Sequence, residues 1–224
     1  MADTALEGIR VLDLTTHIAG PHCTKLLADY GADVIKIEKP RTGDSARSIG
    51  PFHGDDPHPE KSGIFLHLNT NKRSVTLDLS RREGREIARR LSERVDIVVE
   101  NFVPGVMAEL GIDYVLLSKL NPRLIMTSIS EFGQTGPYRE FRASEITSYA
   151  MGGPMNVNGH PAREPLKLGG NVANYHAGSV GAYSTMLALY TAEEDGRGQH
   201  VDVSIYETQA GFRDRRVIFL TAHA

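Results

Sequence analysis

The chain has 224 residues, 40% of them hydrophobic and 24% charged, enough apolar material for one substantial core or for one domain plus part of a second. A formal net charge of −3 excludes the overall basic field that nucleic acid calls for, so any anionic ligand must be gripped by a local cluster. The lone cysteine, Cys23, excludes an intramolecular disulfide and suits a reducing compartment. No run approaches the roughly 20 apolar residues of a membrane span, and Met1–Gly8 carries Asp3 and Glu7 with no apolar signal region. The expectation is a cytoplasmic α/β protein that binds neither nucleic acid nor membrane.

Ile9–Leu14 (IRVLDL) predicts a short strand, and the helix after Ala19-Gly20 is expected to have Pro21 at its first position. Ala32–Glu38 (ADVIKIE) predicts the next strand. Strand, helix and strand in about 30 residues make a βαβ unit, hence a parallel sheet with a right-handed crossover. Lys39–Gly63 is rich in proline and glycine and has little periodicity; a loop this long is usually functional or reaches a neighbouring subunit.

The pattern then repeats. Ser74–Leu79 reads as a strand, Arg81–Arg94 as an amphipathic helix, and Asp96–Glu100 as a strand. Val106–Leu110 and Tyr114–Leu120 read as short helices, and Leu124–Ser130 as a strand. After a turn-rich stretch at 133–142 come a segment at Glu145–Met151, a Gly/Pro/Asn-rich run at 152–170, a long helix over Ala173–Glu194 and a strand at His200–Ser204. Strands alternating with helices predict a Rossmann-like, doubly wound parallel sheet. The small residues Ala177, Gly178, Gly181 and Ala182 in the long helix predict close packing against another backbone.

Several familiar chemistries are missing. No Gly-x-Gly-x-x-Gly follows the first strand, and there is no Walker A loop or Gly-x-Ser-x-Gly elbow. The nine histidines show no HExxH spacing and one cysteine cannot build a zinc cage, so no metal is expected. What remains is polar: Lys36 and Lys39 around the end of the second strand, Asn71-Lys72-Arg73 before the third, and Asn101-Phe102 after the fourth. Cationic groups with an aromatic plate suit an anionic nucleotide with a stackable base.

Read in order, LEGIRVLDLT, AGPHCTKLLADYGADVIKIEKP, Gly43-Asp44 with Arg47, NKRSVTLDL, VENFVPGVM, LGIDY, NPRLIMTSISEFGQTGPY and GRGQHVDVSIYET resemble the class III CoA-transferases from Leu6 to about Gln209. That family includes formyl-CoA and carnitine CoA-transferases and the related methylacyl-CoA racemases. The resemblance implies a CoA-binding Rossmann-like domain, expected here over 1–200, and a smaller second domain whose linker is expected over 201–224 and which is truncated or supplied by another chain. It implies an interlocked dimer with itself or a homologous subunit. CoA and acyl-CoA enter as substrates and not as resident cofactors, and a carboxylic acid is the acceptor. The CoA contacts implied are Lys39, Lys72, Arg73, Asn101, Phe102, Pro104, Gly105 and Met107, with Arg142 near the active site and Glu145 as its acidic neighbour.

The family's nucleophile is an aspartate in a segment like I-A-D-x-x-A-G. Its carboxylate attacks the acyl-CoA thioester and forms a mixed anhydride. Here the segment reads Val172-Ala173-Asn174-Tyr175-His176-Ala177-Gly178. Asn174 has the shape of the carboxylate without its charge or nucleophilicity. Ile18 stands where some members carry a glutamine donor, and Glu109 where many carry an arginine. Ser144 replaces the histidine of the racemase branch, which disfavours racemase chemistry. The leading expectation is a transferase subunit, inactive alone, that works beside an aspartate-bearing chain. The alternatives are a non-enzymatic CoA-binding scaffold and an engineered Asp-to-Asn trap.

Overall fold

The computed structural model describes residues 4–211. Strands β1 (Arg10–Asp13), β2 (Asp33–Glu38), β3 (Lys72–Thr76), β4 (Ile97–Glu100), β5 (Ile125–Ser130) and β6 (His200–Ser204) form one sheet in the order β3-β2-β1-β4-β5-β6. All five pairings are parallel, so each connection must cross from one end of the sheet to the other, mostly as helix. The helices are α1 (Ala19–Asp29), α2 (Gly63–Leu68), α3 (Arg82–Ser92), α4 (Val106–Leu110), α5 (Tyr114–Leu120), α6 (Glu145–Met151), α7 (Val172–Asp195) and α8 (Ile205–Ala210). This is the Rossmann-like, doubly wound architecture that the alternating pattern predicts.

Side chains alternate across each strand, so the sheet feeds two cores. On one face Val11, Val34, Val99, Ile125 and Ile129 pack with Cys23 and Leu27 of α1 and with Ala173, Ala177 and Ala188 of α7. On the other, Leu12, Val98 and Met126 meet Ala88 of α3, Met107 of α4 and Leu117 of α5. The small residues of α7 serve the first core. A Cβ on Gly178 would lie 2.5 Å from the Ala19 carbonyl oxygen, and one on Gly181 would lie 2.9 Å from Ile129 Cδ1.

Several boundaries differ from the sequence expectation. Pairing along β3 begins at Lys72, against Val34, two residues before the apolar run at Ser74–Leu79. As an edge strand β3 is mostly exposed, so hydrophobicity does not mark its start; Leu77 and Leu79 pack into the second core beyond it. Helix α1 begins at Ala19, which makes Pro21 its third residue and not its first; the amides of the first turn have no intrahelical acceptor, so a proline is tolerated there. Helices α2 and α8 were not expected. The hydroxyls of Ser62 and Ser204 cap them, accepting from the amides of Phe65 and Glu207. The domain boundary expected at 200 falls at the start of β6, which pairs with β5 over His200–Ser204. The linker expected over 201–224 lies mostly outside the described residues.

Candidate functional site

Strand order reverses between β1 and β4, so the loops leaving their carboxyl ends part and open a crevice. Thr16 after β1 and Phe102 after β4 line a cavity of about 820 Å³ there. Leu14, Ile37 and Leu77 give it an apolar floor, Lys39 and Arg41 bring positive charge, and the long loop folds over it through Phe52, His58 and Pro59. The Asn101 side chain clasps the two loops: its Oδ1 accepts from the Thr16 amide at 2.9 Å and its Nδ2 donates to the Thr16 carbonyl at 2.8 Å.

A buried network supports the crevice. Lys36, 1% exposed, donates to the Thr15 carbonyl at 2.8 Å and pairs with Asp44 at 2.8 Å. Asp44 in turn accepts from the amides of His17 and Ala46. Lys72 Nζ reaches Asp13 at 3.1 Å, the Pro21 carbonyl at 2.9 Å and Asn69 Oδ1 at 2.9 Å. Burial alone would raise the Asp13 carboxyl, but Lys36, Lys72 and the hydroxyls of Thr15 and Thr24 hold it down at about 2. Burial likewise lowers Lys72, against the pull of Asp13.

A second ion pair fixes the loop. Arg47 takes both oxygens of Glu38, Nε to Oε2 at 2.7 Å and Nη2 to Oε1 at 3.0 Å, while its guanidinium lies 3.6 Å from the centre of the Phe65 ring. Ser74 and the Asp44 amide also donate to Glu38. Burial would raise this carboxyl too, yet Arg47, Ser74 and the Asp44 amide bring it to about 2.

The structure therefore separates the expected contact residues. Lys39 and Phe102 line the cavity. Asn101 braces it. Gly105 occupies the left-handed region at φ 98° as the residue that starts α4, after Pro104, and Met107 is buried in the second core behind the loop. Lys72 and Arg73 are not brought to the cavity where a phosphate was expected. Lys72 turns inward to Asp13, and Arg73, near the amino end of β3, pairs with Asp33 at the amino end of β2. Arg142 is exposed ahead of α6 and does not line the cavity. The supporting roles of Asp13, Lys36 and Glu38 were missed, although charged residues inside short apolar strands were a visible signal. In the sequence Asp44 and Arg47 stand out only as part of the Gly43-Asp44 motif.

Asn174 sits in the first turn of α7, 6% exposed. Its Nδ2 donates to Glu145 Oε2 at 2.6 Å, and the amides of Ala173 and Asn174 donate to the same carboxylate at 2.8 and 3.1 Å. Glu145, the first residue of α6, thus caps α7 where a negative charge is favoured by the helix dipole. His176 points elsewhere, with Nδ1 3.2 Å from Gln209 Nε2. Among the described residues no group of three or more potential ligands is placed to hold a metal ion, and no helix is long and apolar enough to cross a membrane.

Residues 6–219 match CoA-transferase family III, and the chain belongs to that family. Among its relatives are the succinate–glutarate CoA-transferase of Agrobacterium fabrum, 41% identical over 92% of this chain and 52% of the relative, and the succinyl-CoA–L-malate CoA-transferase beta subunit of Chloroflexus aurantiacus, 40% identical over 91% and 49%. A solved CAIB/BAIF family protein from Brucella suis superposes with a TM-score of 0.91 at 36% identity, covering 99% of this chain and 59% of that one. The chain spans about half the length of these curated relatives.

Proposed function

We propose that this chain binds CoA and acyl-CoA in the crevice between β1 and β4, and that it is the subunit without a nucleophile in a family III CoA-transferase. A homologous, aspartate-bearing chain supplies the nucleophile. The observation that carries this is the environment of Asn174. Its side-chain nitrogen shares its lone pair with the carbonyl, and it spends a hydrogen on Glu145 at 2.6 Å.

In the reaction, an aspartate oxygen attacks the thioester carbonyl, the C–S bond breaks, and CoA leaves as thiolate. The thiolate attacks the aspartyl carbonyl of the anhydride, releasing the donor acid and leaving an aspartyl thioester. The acceptor carboxylate then displaces the thiolate, and the thiolate's attack on the acceptor carbonyl frees aspartate and the new acyl-CoA. A carboxylate is both nucleophile and leaving group in this sequence; a carboxamide is neither. The Agrobacterium and Chloroflexus relatives support a CoA-transferring role, and the beta-subunit name of the latter supports an assembly of unlike chains.

CoA is held by groups remote from residue 174: Lys39 and Arg41 suit its phosphates and Phe102 its adenine or pantetheine. Isothermal titration with CoA should therefore show one site per chain. Lys39→Ala should weaken it by about tenfold or more, the cost of one charge-assisted contact of about 1.5–3 kcal/mol. Arg73→Ala should leave it unchanged, because Arg73 pairs at the opposite end of the sheet. Absence of CoA binding, or sensitivity to Arg73 alone, would contradict this placement.

A further inference from the structure

At the carboxyl end of β4, Glu100 is buried, and one of its carboxylate oxygens accepts the Phe102 amide at 2.8 Å. Its neighbours across the sheet are set by register: Glu100 pairs with Ser128 of β5, and Ser128 with Asp202 of β6. These three side chains share one face of the sheet. Asp13, in register with Val99, belongs to the other face. Ser128 Oγ lies 2.8 Å from His200 Nε2, and that imidazole stacks on Tyr114 of α5. Glu100 thus holds the amide of the residue that forms one wall of the crevice, while Asn101 ties the same turn to Thr16.

We propose that Glu100 is a positioning residue: its carboxylate fixes the turn that presents Phe102 to the bound nucleotide, and its protonation loosens that wall. This rests on the reading of the crevice as the CoA site. An ionised carboxylate is the stronger acceptor for the Phe102 amide. A protonated one is free to turn its hydroxyl toward Ser128 instead. Burial pushes the Glu100 carboxyl up to about 7, opposed by the Ser128 hydroxyl and the Phe102 amide and reinforced by Asp202. Other ionisable groups on this side include His200, which burial lowers against the pull of Asp202 and Asp113, Tyr114, which burial raises, and Asp202, which accepts the Gln134 amide. The change in the Phe102 wall therefore falls near neutral pH, with the tighter grip on the alkaline side.

Titrating CoA into the wild type and Glu100→Gln between pH 5.5 and 8.5 tests this. The CoA phosphate titrates equally in both, so the difference between the two proteins isolates the side chain. The wild type should gain severalfold in affinity relative to the variant across about pH 7, the variant resembling the acid form throughout. The Phe102 amide resonance of the unliganded wild type should move with the same midpoint, a readout that needs no variant. Parallel pH profiles for the two proteins, or a Phe102 amide that does not move in this range, would overturn the role of Glu100. Failure of both proteins to bind CoA, with the amide still titrating, would instead overturn the CoA reading of the crevice.

Discussion

Replacing Asn174 by aspartate would set a second carboxylate where the amide now donates to Glu145 at 2.6 Å. Two carboxylates at that distance cannot both ionise, so the pair should titrate as a unit with one apparent pKa well above the ordinary range. A raised folded-state pKa means that the folded chain holds a proton the unfolded chain has lost. Stability must then fall as pH rises through and above the unfolded value. Urea denaturation of Asn174→Asp should show about 1–3 kcal/mol less stability at pH 8 than at pH 5, relative to the parent. Adding Glu145→Gln should remove that difference, because the glutamine amide again pairs a donor with the carboxylate. A pH dependence identical to the parent would mean that the two side chains do not meet. Asp13 works in the opposite sense. Its folded-state value of about 2 lies below the ordinary 3.8, so its ion pairs stabilise fully above about pH 4 and are lost as pH falls through about 2. Lys72→Met removes the nearer cation and leaves buried Asp13 with Lys36 at 3.9 Å and the hydroxyls of Thr15 and Thr24; loss of about 3 kcal/mol at pH 7 is expected, and an unchanged denaturation midpoint would contradict the network.

Most of the elements were legible because their residues repeat with the period of what they form. IRVLDL and DIVVE are short apolar runs buried on both faces, and they are strands β1 and β4. The small-residue stretch that becomes α7 betrayed a close backbone neighbour, and Gly178 now lies against the Ala19 carbonyl of α1. Replacing Gly178 by valine should therefore separate α1 from α7, costing about 1–3 kcal/mol and lowering the melting temperature; full retention of stability would show that the two helices do not meet there. Helix α8 was missed despite a readable signal, Ser204 followed three residues later by Glu207, the spacing of a capping box. Helix α2 had only Ser62 and a short apolar run, too little to separate it from the loop before it. The polar site was less legible than the fold. Lys72 and Arg73 are adjacent in sequence, yet one faces a buried carboxylate and the other an exposed one, and composition does not separate those fates. Lys39 and Phe102 reach the cavity because each lies just past a strand's carboxyl end, where open α/β sheets converge their loops.

Across the described residues, the proposed binding crevice and the Asn174 position occupy different places. The crevice uses the loops after β1, β2, β3 and β4, while Asn174 and Glu145 join the starts of α7 and α6. On the reading proposed above, a chain can therefore keep the first and lose the second. The most direct test is intact mass spectrometry after incubation with acyl-CoA, with and without an aspartate-bearing homologous chain, followed by hydroxylamine or borohydride challenge. The account predicts no covalent adduct on this chain under any condition and a hydroxylamine-sensitive adduct on the partner. A hydroxylamine-sensitive adduct on this chain alone would contradict it, by showing that Glu145 or another residue here attacks the thioester.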